Sequence, residues 1–109
     1  MITIEVYETE DGKRPFEDWL KTVDRQAARK VQVALDRLEG GNTSNLKSVG
    51  AGVAELKIHF GPGYRVYLGQ YGARLVILLM GGTKKRQSDD IAEAKKLWSA
   101  YKNEQKKGD

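Results

Sequence analysis

The stretch V-A-E-L-K-I-H-F-G-P-G-Y-R-V-Y, residues 53–67, decides the fold. Polar and apolar residues alternate through Val53–Phe60 and again through Tyr64–Gln70, the period of two that marks half-buried strands. Gly61-Pro62-Gly63 between them is a hairpin signal, because glycine and proline supply the backbone angles of a tight reversal. A regular three-residue loop would set Phe60 opposite Tyr64, His59 opposite Arg65, Ile58 opposite Val66 and Lys57 opposite Tyr67. Side chains alternate across a sheet, so Leu56, Ile58, Phe60, Tyr64, Val66 and Leu68 then share one face. Glu55, Lys57, His59, Arg65 and Tyr67 gather on the other. A slip of one residue in either strand would mix the two sets, so the sorting supports the pairing.

Working outward, Tyr71-Gly72 reads as a tight turn into Leu75–Met80, a continuous apolar run typical of a central strand covered on both faces. Upstream, residues 42–52 are small and polar without a period and read as a loop. Before them lies a helical hairpin. Pro15 opens a helix over about 15–22 carrying Phe16, Trp19 and Leu20, and Asp24 caps a second one. Ala28, Val31, Leu35 and Leu38 form the apolar stripe of that second helix, and Gly40-Gly41 ends it. Ile2, Ile4 and Val6 alternate as a first strand. A last helix is capped near Ser88 or Asp89 and buries Ile91, Ala94, Leu97, Trp98 and Tyr101, while the polar tail over about 102–109 is expected to fray. The two tryptophans and Phe16 are read as core. The resulting order is β-α-α-β-β-β-α. This is an α+β chain, one domain over residues 1–109, with helices packed on one face of a mostly antiparallel sheet.

Composition narrows the function classes. The chain of 109 residues has no cysteine, which excludes a disulfide framework and thiolate metal sites. A single histidine leaves no convincing metal cluster, so no cofactor is expected. No apolar run approaches membrane-spanning length, and the first residues lack the layout of a signal peptide, so a soluble cytoplasmic protein is expected. Lysine and arginine number 19 against 15 acids, a net charge of +4 that attracts polyanions, nucleic acid above all.

The polar face of the hairpin carries the chemistry. Cutting RNA without metal requires deprotonating a 2′-OH, protonating the leaving 5′-oxygen and stabilising a pentavalent phosphate. Arg65 suits the phosphate, since its planar fork pairs with two oxygens and never loses its charge. Histidine as a residue type exchanges protons near neutrality, so His59, the only one, suits proton transfer. Lys57 stabilises charge, or acts as a base if its cationic neighbours lower its pKa. Tyr67 offers a ring for stacking on a base. Glu55 offsets the crowded positive charge and positions its neighbours. Lys84, Lys85 and Arg86 follow the last strand at one sheet end. Lys84 is read with the catalytic group, and Lys47, Lys85 and Arg86 are read as RNA contacts.

These same residues carry a family resemblance. Val53–Tyr67, the run L-L-M-G-G-T-K-K-R-Q-S-D-D-I-A-E-A over Leu78–Ala94, and P-F-x-x-W-L over Pro15–Leu20 resemble the RelE/ParE toxin superfamily, its HigB-like addiction-module killer branch most closely. The resemblance implies a compact RelE-like fold. It also implies the toxin of a type II toxin–antitoxin pair that cuts mRNA on the ribosome, without metal, and so inhibits translation. It places the family's basic positions on Lys57, Arg65, Lys84 and Lys85. An aromatic or histidine that some members carry after the basic pair falls here on Ile91, so Tyr67 or Tyr101 would do the stacking. The implied partner is a small helix-turn-helix antitoxin. Two other readings share the fold: a ParE-like poison that binds gyrase without cutting anything, and a non-toxic module that binds its antitoxin and regulates its own promoter.

Overall fold

Strand β1 (Thr3–Val6) opens the fold in the computed structural model, which describes residues 2–107. Helices α1 (Pro15–Leu20) and α2 (Arg25–Glu39) follow, then β2 (Leu46–Gly50), β3 (Val53–Ile58), β4 (Tyr64–Tyr71) and β5 (Leu75–Thr83). A 3-10 turn (Lys84–Arg86) leads directly into α3 (Gln87–Lys107). The strands lie in the order β1-β5-β4-β3-β2. All pairings are antiparallel except that of β1, which runs parallel to β5.

Local sequence explains the boundaries. Pro15 occupies the first turn of α1, where its missing N–H costs nothing. The Asp24 carboxylate accepts from the Ala27 amide at 2.7 Å, capping α2 as its position suggests. Strand β2 falls within residues read as loop. Its sequence L-K-S-V-G has no apolar alternation, and what forms it is the turn after it. Gly50, Ala51 and Gly52 all take positive φ, a reversal that folds β2 back onto β3. Helix α3 runs on through Lys107, where a frayed tail was expected; residues 108–109 lie outside the described residues.

The sheet is buried on both sides. Ile4 and Val6 of β1, Leu56, Ile58, Val66, Leu68, Val76 and Leu78 face α1 and α2. Val53, Tyr67, Ile77 and Leu79 face α3 through Ala94 and Trp98. Val76–Leu79 are therefore covered from both faces, as their unbroken apolar run predicts. In one respect the arrangement departs from expectation: α3 packs on the face opposite α1 and α2, not beside them. An apolar stripe defines which side of a helix is buried but not which side of a sheet it covers.

Each indole lies flat on a glycine. Trp98 rests on Gly69 of β4 and Trp19 on Gly81 of β5, so closely that a Cβ at either glycine would fall inside the ring. Gly69→Ala is expected to destabilise the fold by about 3 kcal/mol through overpacking. Calorimetry should show the midpoint falling by roughly 12 °C or more. A midpoint within about 3 °C of the parent would mean that Trp98 can move aside at little cost.

Candidate functional site

Strands β3 and β4 place Glu55, Lys57, Arg65 and Tyr67 on the α3 side of the sheet. Their pairing is Ile58 with Tyr64, Lys57 with Arg65, Leu56 with Val66 and Glu55 with Tyr67. That register is two residues away from the one expected, because His59 and Phe60 join the loop instead of extending β3. A shift of two preserves the faces and changes the neighbours. Arg65 lies opposite Lys57, and exposed His59 stands at the mouth of the loop.

Glu55 is the hub of this face. It is 1 % exposed, and its Oε2 accepts from Gln87 Nε2 at 2.8 Å and from the Tyr67 hydroxyl at 3.4 Å. Arg65 Nε lies 3.5 Å from the same oxygen, an ionic contact without a hydrogen bond. Arg65 Nη1 donates to the Gly63 carbonyl at 2.8 Å, tying the guanidinium to the loop. A buried carboxylate thus fixes a buried cation whose remaining edge borders the cleft beside Lys57, His59, Gly63 and Lys84.

Tyr67 needs correction as a stacking residue. It is fully buried beneath α3, so no base can reach its ring. Burial, with the negative charges of Glu55 and Asp90 nearby, pushes its pKa far above the usual phenol range, so it stays a neutral donor. Tyr101, the other candidate for stacking, packs flat on Trp98 at 5.2 Å between ring centres, in the cluster with Tyr71 and Tyr7.

Lys84 reaches the cleft because the Lys84 amide donates to the Gly63 carbonyl at 3.0 Å, joining the end of β5 to the hairpin loop. Lys85 and Arg86 are exposed on the 3-10 turn and do not line this cleft. Lys47 pairs across from Glu55 and borders a smaller recess with Asn45, Lys57 and His59. Ile91 is half-buried against the α3-side core.

Gln87 and Asp90 were missed by sequence reading. Q-S-D-D reads as a helix start, and nothing in it signals that Gln87 turns back to Glu55. Asp90 packs its carboxylate onto Gly82. Burial raises its pKa, Arg86 opposes this, and Asp89 adds to it. Among the described residues no group of three or more histidine or acidic side chains could hold a metal ion, and no helix is long and apolar enough to cross a membrane.

Comparison with known proteins bears on this arrangement. Residues 18–103 match the model of a family described as phage-derived protein Gp49-like (DUF891), a family associated with toxin–antitoxin addiction modules. An uncharacterized protein of Haemophilus influenzae is 46% identical over 83 residues, covering 75% of this chain and 84% of that protein. The matched region takes in α2, the whole β2–β5 meander and most of α3, and with it every residue of the cleft. The chain therefore belongs to the Gp49-like family of phage-derived proteins.

Proposed function

We propose that this protein is the toxin of a type II toxin–antitoxin pair and that it cleaves mRNA on the ribosome without a metal ion. The observation that carries the reading is the convergence of Lys57, Arg65, Lys84 and His59 on one cleft, with Arg65 pinned by Glu55. Three cations around one space, one of them pinned, suit a phosphate that gains negative charge in its transition state. In the proposed reaction the 2′-oxygen loses its proton and attacks phosphorus. The bond from phosphorus to the 5′-oxygen breaks, and that oxygen takes a proton. The products are a 2′,3′-cyclic phosphate and a 5′-hydroxyl. Arg65 and Lys84 hold the non-bridging oxygens, and His59 and Lys57 exchange the two protons. Glu55 and Gln87 act as positioning residues, since neither faces the cleft. Tyr67 is left out of substrate contact by its burial.

The cationic cleft also suits a cognate antitoxin, which would silence it by laying an acidic segment across Lys57 and Lys84. The reading is tested by brief induction of the protein followed by mapping of transcript 5′ ends. New ends in a regular codon register, with 5′-hydroxyl chemistry, are expected before growth stops. Intact transcripts alongside double-strand DNA breaks would replace this reading with gyrase poisoning.

A further inference from the structure

A second groove lies beside the cleft, between α2 and β3. Its volume is about 250 Å³. One wall is the α2 stripe Lys30, Val33, Ala34 and Arg37, residues spaced i, i+3, i+4 and i+7 along one helix face. The other is the end of β3, with Leu56, Lys57, Ile58 and His59. Asn42 and Asn45 contribute carboxamides at one end. Val33, Ala34, Leu56 and Ile58 supply its apolar lining, and Val33 remains 45% exposed. No carboxylate lines the groove, and among the described residues neither Lys30, Arg37 nor Lys57 has an acid within ion-pair distance.

The groove and the cleft share Lys57, Ile58 and His59, so the two adjoin at the end of β3. Lys30 marks the crossing, its ammonium 5.7 Å from the centre of the Phe60 ring, which borders the cleft. We propose that the α2–β3 groove is a second RNA subsite, holding the single-stranded nucleotides next to the phosphate bound by Arg65 and Lys84. This rests on the RNA-cleaving function proposed above. A chain with one negative charge per residue matches cations on both rims. Carboxamides suit base edges, and the guanidinium plane of Arg37 can stack on a base. A protein segment would need acids at matching intervals to do the same, and that alternative is an outcome of the test.

The test uses the full chain with a 2′-O-methyl trinucleotide and a nonanucleotide of mixed sequence, neither of which can be cut. Binding is followed by fluorescence anisotropy across a salt series. In Lys30→Gln/Arg37→Gln the nonanucleotide is expected to bind roughly tenfold more weakly at low salt, with the log–log salt slope shallower by about 1.4, or about 0.7 per lost phosphate contact. The trinucleotide should change less than about threefold, as it engages the cleft alone. Lys84→Ala should weaken both ligands. If Lys84→Ala weakens both and the double variant weakens neither, the groove proposal fails and the cleft reading stands. If the parent binds neither ligand yet still cuts mRNA in a reconstituted translation system, the groove proposal fails and the cleft reading stands; if it does neither, both fail. If the double variant keeps RNA but loses a glutamate-rich peptide, the groove belongs to a protein partner and the proposal is overturned. Lys30 and Arg37 are exposed, and the single variants repeat the test should the double one melt early.

Discussion

Lys57→Ala/Lys84→Ala is expected to slow RNA cleavage by about 10²–10³-fold, the usual effect of removing fixed positive donors from a reacting group. The thermal midpoint should move by no more than about 4 °C, because neither lysine is fully buried. Lys57 is half-exposed on β3, and its structural bond is made by its backbone amide, which donates to Asn45. Lys84 is exposed, and its link to Gly63 is likewise through the amide. Alanine keeps both bonds. Arg65 is the worse choice for a functional test despite its central place, since its removal strands Glu55 in the interior and confuses lost activity with lost fold. Cleavage of a defined mRNA in a reconstituted translation system, read beside a thermal melt, separates the two effects. Parental activity in the double variant would show that the cleft is not where RNA is cut.

Glu55→Ala is expected to cost about 3–5 kcal/mol, the penalty of leaving a buried cation without its partner. At 4–8 °C per kcal/mol this lowers the midpoint by roughly 12 °C or more. Arg65 is 4% exposed and Glu55 1%, so water reaches little of either charge to compensate for a lost partner. The alanine also strips acceptors from Gln87 and Tyr67, loosening the start of α3. A cycle completes the argument. Glu55→Leu/Arg65→Met removes both charges together and should recover most of the stability, because a buried pair is often no better than apolar residues of similar size. The recovered protein should be inactive. If Glu55→Ala alone melts within about 3 °C of the parent, the ion pair is not what holds the face together.

How far the sequence can be read differs by element. The sorting of β3 and β4 into two faces was legible because burial imposes it and any odd slip destroys it. The pairing along those strands was not, because a slip of two leaves the pattern intact, and only the loop decides whether His59 and Phe60 belong to the strand. β2 left no trace in hydrophobic pattern, being an edge strand with two exposed central residues, Lys47 and Ser48. Lys57 and Arg65 were placed on one face from alternation alone. The burial of Glu55, Arg65 and Tyr67 was illegible, since it depends on which face α3 covers. A solvated polar face and a covered ion pair are written with the same residues.

The parallel pairing of β1 with β5 joins Thr3 to Leu75 and Val6 to Leu78. Synthesis runs from the first residue to the last, so β1 leaves the ribosome long before the strand that receives it. It must wait, unpaired, while the helices and the meander emerge. Contacts of such sequence separation close late and slowly. Gln87, which donates to Glu55, emerges later still. The ion pair is therefore sealed only after α3 has docked on the sheet. Until the start of α3 docks, Glu55 lacks the Gln87 donor and the ion pair stays open to water.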